Sequence, residues 1–169
     1  AGEPPGRRGF PPSVFSMLPA LLERAGNSSR GTLTAIYTVL VEGSDMDEPI
    51  SDEVRSILDG HIVLDRSVAQ RGRYPAMDPL QSVSRLMDRV APPRVRDAAA
   101  WLRRTLSLYE QNRDLITVGA YGKGSDPALD AAIAAVGDIE GFLAQDRVEL
   151  VALSTSMDRL VELARRHGG

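Results

Sequence analysis

The sequence predicts an α/β segment followed by an all-α one. Two observations carry this. A run rich in β-branched and aromatic residues, TLTAIYTVLVE (32–42), precedes a helical pattern and then a second short apolar run, HIVLD (61–65). A strand, a helix and a strand on short connections make a sheet with parallel pairing. Past Pro92-Pro93, apolar residues recur at helical spacing to the end of the chain. That second part reads as a small helical bundle. The expected division is an α/β portion over 1–91 and a helical domain over 92–169.

Each element has its own signal. Val14, Met17, Leu18, Leu21 and Leu22 lie on one face of a short helix, which Pro19 kinks or breaks. GNSSRG (26–31) is a turn. The 32–42 run is apolar on both faces, as in a strand covered on both sides. An acidic turn, EGSDMDEP, leads to the helix ISDEVRSILDG, with Ser51 as its N-cap, Val54, Ile57 and Leu58 inward, and Gly60 as its stop. HIVLD is a second buried strand. In the helical half, Val95, Ala98, Leu102, Leu106, Tyr109 and Ile116 form one stripe ending near Gly119. Asp126 caps the next helix with Pro127 in its first turn, and Gly137 ends it. A short helix with Ile139, Phe142 and Leu143 follows. The last helix runs from about Thr155 and closes on Arg165, Arg166 and His167, where positive charge suits the helix dipole.

The stretch RYPAMDPLQSVSR (73–85) fits neither period. Proline fixes φ and drives the preceding residue toward extended backbone, so Tyr74 and Asp78 are held in place. A rigid loop bearing an aromatic and an arginine presents Tyr74 and Arg85 to a ligand or partner.

Composition excludes several classes. A net charge of −3 and a pI near 5.4 give no electrostatic case for nucleic acid or an anionic membrane surface. No apolar run reaches transmembrane length. Without cysteine, neither disulfides nor thiolate-bound zinc hold the fold. His61 and His167 stand far apart, and His61 reads as a hydrogen-bonded core residue. Glu42, Asp45, Asp47 and Glu48 could approach a hydrated Mg²⁺, although such turns are ordinarily just solvated. Trp101, beside Arg103 and Arg104, reads as packing or an interface. No metal site is expected.

GAYGKGSDP (119–127) imitates a phosphate loop. A P-loop needs four residues between its first Gly and the Gly-Lys pair, then Ser or Thr after the Lys. Here Ala120 and Tyr121 alone separate Gly119 from Gly122, and Gly124 follows Lys123. Lys123 is the only lysine, so no P-loop lysine exists in these residues.

RRGFPPSVF, GTLTAIYTVLVEGSDMDEPISDEVRSILDGHIVLDR and RYPAMDPLQSVSRLM, in that order, closely resemble the ATPases of type III protein secretion systems. These are relatives of rotary ATP synthase catalytic subunits. QNRDLITVGAYGKGSDPALDAAI and GFLAQ match the family's C-terminal helical region. The VEGSDMDEP and DEVRSILDG wording is nearer the injectisome branch, while QNRDLITVGAY is shared with the flagellar one. The resemblance implies the end of a RecA-like P-loop NTPase domain followed by the helical C-terminal domain. AGEPPGRRGFPPSVF, with no initiator Met, reads as the middle of a longer protein, and the P-loop part is expected to lie outside this chain.

By the same resemblance, ATP and Mg²⁺ serve the full-length protein, and neither is expected to bind this fragment tightly. Arg85, the arginine of SVSR, would reach a neighbouring subunit's nucleotide as an arginine finger. Tyr74 of the YPA motif would stack on adenine, and Phe142 of GFLAQ would form a second wall of the pocket. The family's aromatic a few residues later is replaced here by Arg147-Val148. The implied whole is a cytoplasmic homohexamer, peripheral to the bacterial inner membrane, that hydrolyses ATP to release chaperones and unfold and export secreted proteins. Its implied partners are those chaperones and substrates and the stalk and stator proteins, with no nucleic acid. Two other readings are a non-catalytic helical docking module and a fragment of a rotary synthase subunit.

Overall fold

A computed structural model describes all residues except Ala1, Pro5, Arg7, Arg8 and 42–45. The chain divides into two compact units, Ala1–His61 and Ile62–Gly169. Position 91/92, the expected domain boundary, falls inside the second unit.

In the first unit, α1 (Pro12–Leu22) forms with Pro19 inside it and packs against α2 (Pro49–Ile57). Leu22 and Val54 are buried there. Helix α2 starts two residues before the expected cap. Pro49 supplies the preset φ of a first helical residue, Glu48 occupies the N-cap position, and Ser51 is buried inside the helix. The long strand expected over 32–42 does not form. Two three-residue strands, β1 (Gly26–Ser28) and β2 (Gly31–Leu33), pair antiparallel, and 34–41 is irregular. Ile36 is 93% and Leu40 89% exposed while Tyr37, Val39 and Val41 are half-buried, so the run that reads as a doubly buried strand is at most partly covered on one side. The predicted parallel pair is absent with it.

The unit boundary falls within β3 (Gly60–Leu64); α3 (Arg66–Gln70) and β4 (Met77–Ser84) follow, with β3 and β4 as hydrogen-bonded neighbours in a two-stranded sheet. Strand β3 buries Val63 and exposes Ile62 and Leu64, so it is covered on one face only. Strand β4 corrects the irregular reading of 73–85: proline at position 79 is tolerated because the sheet has only edges.

After a single turn, α4 (Met87–Val90), three helices follow: α5 (Pro93–Thr117), α6 (Pro127–Leu143) and α7 (Leu153–Arg166). Asp126 caps α6 as expected, its carboxylate accepting from the amides of Ala128 (2.8 Å) and Leu129 (3.2 Å). Gly137 does not end it, and the two helices read around that residue are one. The core gathers Ala98, Trp101, Leu102 and Leu106 of α5, Ala135 and Ile139 of α6, and Leu163 and Ala164 of α7. Trp101 stacks on His167, whose Nε2 lies 2.9 Å from Asp138 Oδ2. Leu80 of β4 packs against this core, which ties the strand to the helices.

Candidate functional site

The loop between α3 and β4 is built by local rules. Asp65 caps α3, accepting from Ser67 N at 2.6 Å. The Ser67 hydroxyl, followed by the Ser67 and Val68 amides, holds the Asp65 carboxyl below the usual carboxylate range. Gly72, at φ +79°, supplies the left-handed turn after α3. Arg73, Tyr74 and Pro75 follow, with a cis Tyr74–Pro75 peptide. The Asp65 amide donates to Ala76 O at 2.8 Å, closing the base of the loop.

Tyr74 projects from this loop, 60% exposed. Opposite it runs the segment after α6. The Gln145 amide donates to Tyr74 O at 2.8 Å, so the two backbones are stitched together. Between them lies a cleft of about 990 Å³ lined by Gly72, Tyr74, Pro75, Gln145, Asp146 and Arg147 among others. A mostly organic, planar ligand suits such a cleft: an aromatic face on one side, and amide, carboxylate and guanidinium groups on the other.

Phe142 stands differently. It is half-buried and packs against the helix core, one turn before the cleft wall. Sequence reasoning missed two neighbours. Arg73, 7% exposed, is the one charged side chain buried among the described residues. Its Nε lies 2.8 Å from Glu140 Oε2 on α6, an ion pair without the alignment of a hydrogen bond. No local signal marks Arg73, because its partner lies 67 positions later.

Arg85 follows the last residue of β4 and is exposed. Its strand is firmly held. Asp78 accepts from the amides of Leu80 (2.7 Å) and Gln81 (3.2 Å), and the Ser82 hydroxyl donates to Asp78 O at 2.5 Å. Arg103 of α5 donates to Ser82 O (3.0 Å) and Leu80 O (3.3 Å), binding the carbonyls just before Arg85. Eight residues of strand lie between the loop of Tyr74 and Arg85.

Other sequence-predicted sites are quieter. Glu42 and Asp45 lie outside the described residues; Asp47 lies 4.0 Å from Arg55, and no cluster able to hold a metal occurs among the described residues. His61 is half-exposed at the second position of β3, not a core residue. Trp101 is core, as its stack with His167 requires. In the 119–127 loop the Asp130 carboxylate accepts from Gly124 N at 2.8 Å and from the Tyr121 hydroxyl at 3.0 Å. A carboxylate already sits where a phosphate loop would need an anion, so the loop is a helix–helix turn.

Similarity to known proteins decides the family. The nucleotide-binding domain of the ATP synthase alpha/beta family matches residues 1–84, and the T3SS EscN ATPase C-terminal domain matches residues 91–162. The flagellum-specific ATP synthase of Treponema pallidum is 53% identical over 167 residues, 97% of this chain and 37% of that protein. The chain belongs to the type III secretion and flagellar ATPase family. The type 3 secretion system ATPase of Sinorhizobium fredii is 54% identical over 150 residues, 89% of the chain and 33% of the relative. Both branches of the family thus stand at the same level of identity. Among solved structures, the assembled type III secretion ATPase EscN of enteropathogenic E. coli superposes with a TM-score of 0.91 at 44% identity, over 96% of this chain and 39% of that one. The ATP synthase subunit NeqB of Nanoarchaeum equitans gives 0.84 at 26%, over 98% and 42%. The chain therefore spans about a third of the length of these relatives.

Proposed function

We propose that this chain is the C-terminal part of a type III secretion ATPase, covering the end of its RecA-like nucleotide-binding domain (1–91) and its helical domain (92–169). The full-length protein assembles as a homohexamer and hydrolyses Mg-ATP to release chaperones and to unfold and export proteins. It works in the cytoplasm against the inner membrane. Tyr74 stacks on the adenine of its own chain's nucleotide, with Phe142 backing the opposite wall. Arg85 serves the nucleotide of the next subunit.

The observation that carries this reading is one strand presenting two exposed groups at its ends. Tyr74 lines the cleft before β4 and Arg85 stands exposed just after it, two groups offered at opposite ends of one element. The chemistry asked of Arg85 is specific. Phosphoryl transfer spreads negative charge over the γ-phosphate oxygens, and a planar guanidinium that is always charged offsets it as it develops. Such fingers contribute roughly 10³–10⁵ in turnover, about 4–7 kcal/mol of barrier. An exposed ion pair contributes about 0–1 kcal/mol, so the two roles separate cleanly. The described residues hold no phosphate cradle and no carboxylate cluster for magnesium. Those duties fall to other parts of the full-length protein. The test is Arg85→Ala in that protein. Turnover is expected to fall at least about 10³-fold while ATP binding to the same subunit persists; turnover within a few-fold of wild type removes Arg85 from the mechanism.

A second reading concerns the helical domain. Leu115 and Val118, at the C-terminal end of α5, are 50% and 75% exposed. One of the similar EscN structures is a complex with its central stalk EscO (TM-score 0.83). These residues form a docking point for a stalk, beside the chaperone contacts expected of this domain. Leu115→Asp is expected to weaken stalk binding without altering basal hydrolysis.

A further inference from the structure

The cleft has a fastener that its motif does not contain. We infer that Arg73 and Glu140 are positioning residues: their buried ion pair fixes the spacing between Tyr74 and the opposing wall at 144–147. The inference rests on the reading of this cleft as the base site.

The geometry is that of a two-point attachment. One point is the bond from Gln145 N to Tyr74 O, 2.8 Å. A single hydrogen bond leaves the wall free to rotate about it. The second point is Arg73 Nε to Glu140 Oε2, also 2.8 Å. Arg73 is covalently next to Tyr74. Glu140 lies one helical turn before the wall, where its carbonyl accepts the amide of Ala144 at 3.0 Å. Together they hold both the distance and the tilt of the two faces.

The electrostatics make the pair demanding. Burying a guanidinium is costly unless an opposite charge offsets it, and removing one partner leaves the other charge uncompensated. Arg73 Nε and Nη1 have no aligned hydrogen-bond acceptor among the described residues. Glu140 is therefore the group that compensates the buried charge. Glu140 is about a third exposed, so it tolerates loss of its partner better than Arg73 does. A pair of this kind adds little to stability over an apolar equivalent. What it supplies is register.

The experiment uses the full-length protein with Arg73→Met, Glu140→Gln, Arg73→Lys and the reversed pair Arg73→Glu with Glu140→Arg, and Tyr74→Ala as reference. KM and kcat for ATP are measured beside the inhibition constants of ADP and of inorganic pyrophosphate, which lacks a base. A stacked base contributes enough binding that misplacing its wall is expected to raise KM for ATP and Ki for ADP about tenfold. Pyrophosphate inhibition and kcat stay within about twofold, and the reversed pair and Arg73→Lys recover part of the loss. Glu140→Gln keeps the test open if Arg73→Met fails to fold. An equal rise for ADP and pyrophosphate, or single variants with unchanged KM where Tyr74→Ala raises it, overturns the latch alone. No effect of Tyr74→Ala sinks the base-site reading and the latch with it.

Discussion

Asp65 governs how the loop of Tyr74 begins. Its carboxylate terminates β3, caps α3 and is held below the ordinary carboxylate range chiefly by the Ser67 hydroxyl. A carboxyl whose folded pKa is depressed adds stability that is present above its unfolded value and lost as pH falls through the folded one. Protection of the α3 amides in hydrogen exchange is thus expected to be flat across neutral pH and to fall only below the ordinary carboxylate range. Asp65→Ala should remove both the protection and its acid limb, and protection that titrates near neutrality contradicts the assignment. At this same scale, the cap of α6 was readable: Asp126 stands where its neighbours in sequence imply. Arg73 was not. Nothing local distinguishes an arginine that ends in solvent from one that meets a glutamate 67 positions later, on a helix yet to pack.

Helix α6 displays the competition between propensity and packing. Gly137 and Gly141 each weaken a helix by about 1 kcal/mol relative to alanine, and Gly137 read as a stop. The helix nevertheless continues, because Ala135 and Ile139 on either side of Gly137 are 1% and 0% exposed in the shared core. Burying an isoleucine contributes about 1.5–3 kcal/mol, more than a glycine costs. A Cβ added at Gly137 meets nothing within 4 Å, and its φ is not positive. Gly137→Ala is therefore expected to stabilise the protein by about 0.4–1 kcal/mol, read as a raised denaturant midpoint with unchanged slope. A loss of stability instead points to a packing role for the bare glycine. The strand expected over 32–42 failed for the converse reason. Its β-branched residues favour a sheet, but strand propensity largely measures packing against neighbours, and here Ile36 and Leu40 are left without cover.

At the scale of the molecule, the proposed function gives the chain one wall of a nucleotide site and a guanidinium for another, with the phosphate cradle elsewhere in the full-length protein. Lys123 is the chain's single lysine, and the loop around it is filled by Asp130. The isolated chain is expected to release no phosphate from ATP at any protein concentration. Measurable hydrolysis by it, absent from an Arg85→Ala version, contradicts this account of where the phosphates are held. The exposed Ile36 and Leu40 predict self-association of the isolated chain through its first unit, seen as concentration-dependent mass in light scattering.

By itself, the sequence determined the helical half, the capping of α6, the absence of a P-loop and the family, because each is written in local spacing or in motifs of adjacent residues. Tertiary structure alone decided which apolar run became a strand, that two glycines would lie inside a helix, and that Arg73 would meet Glu140. Those outcomes depend on what covers a surface and on which distant charges come together, and neither is encoded in any short stretch of chain.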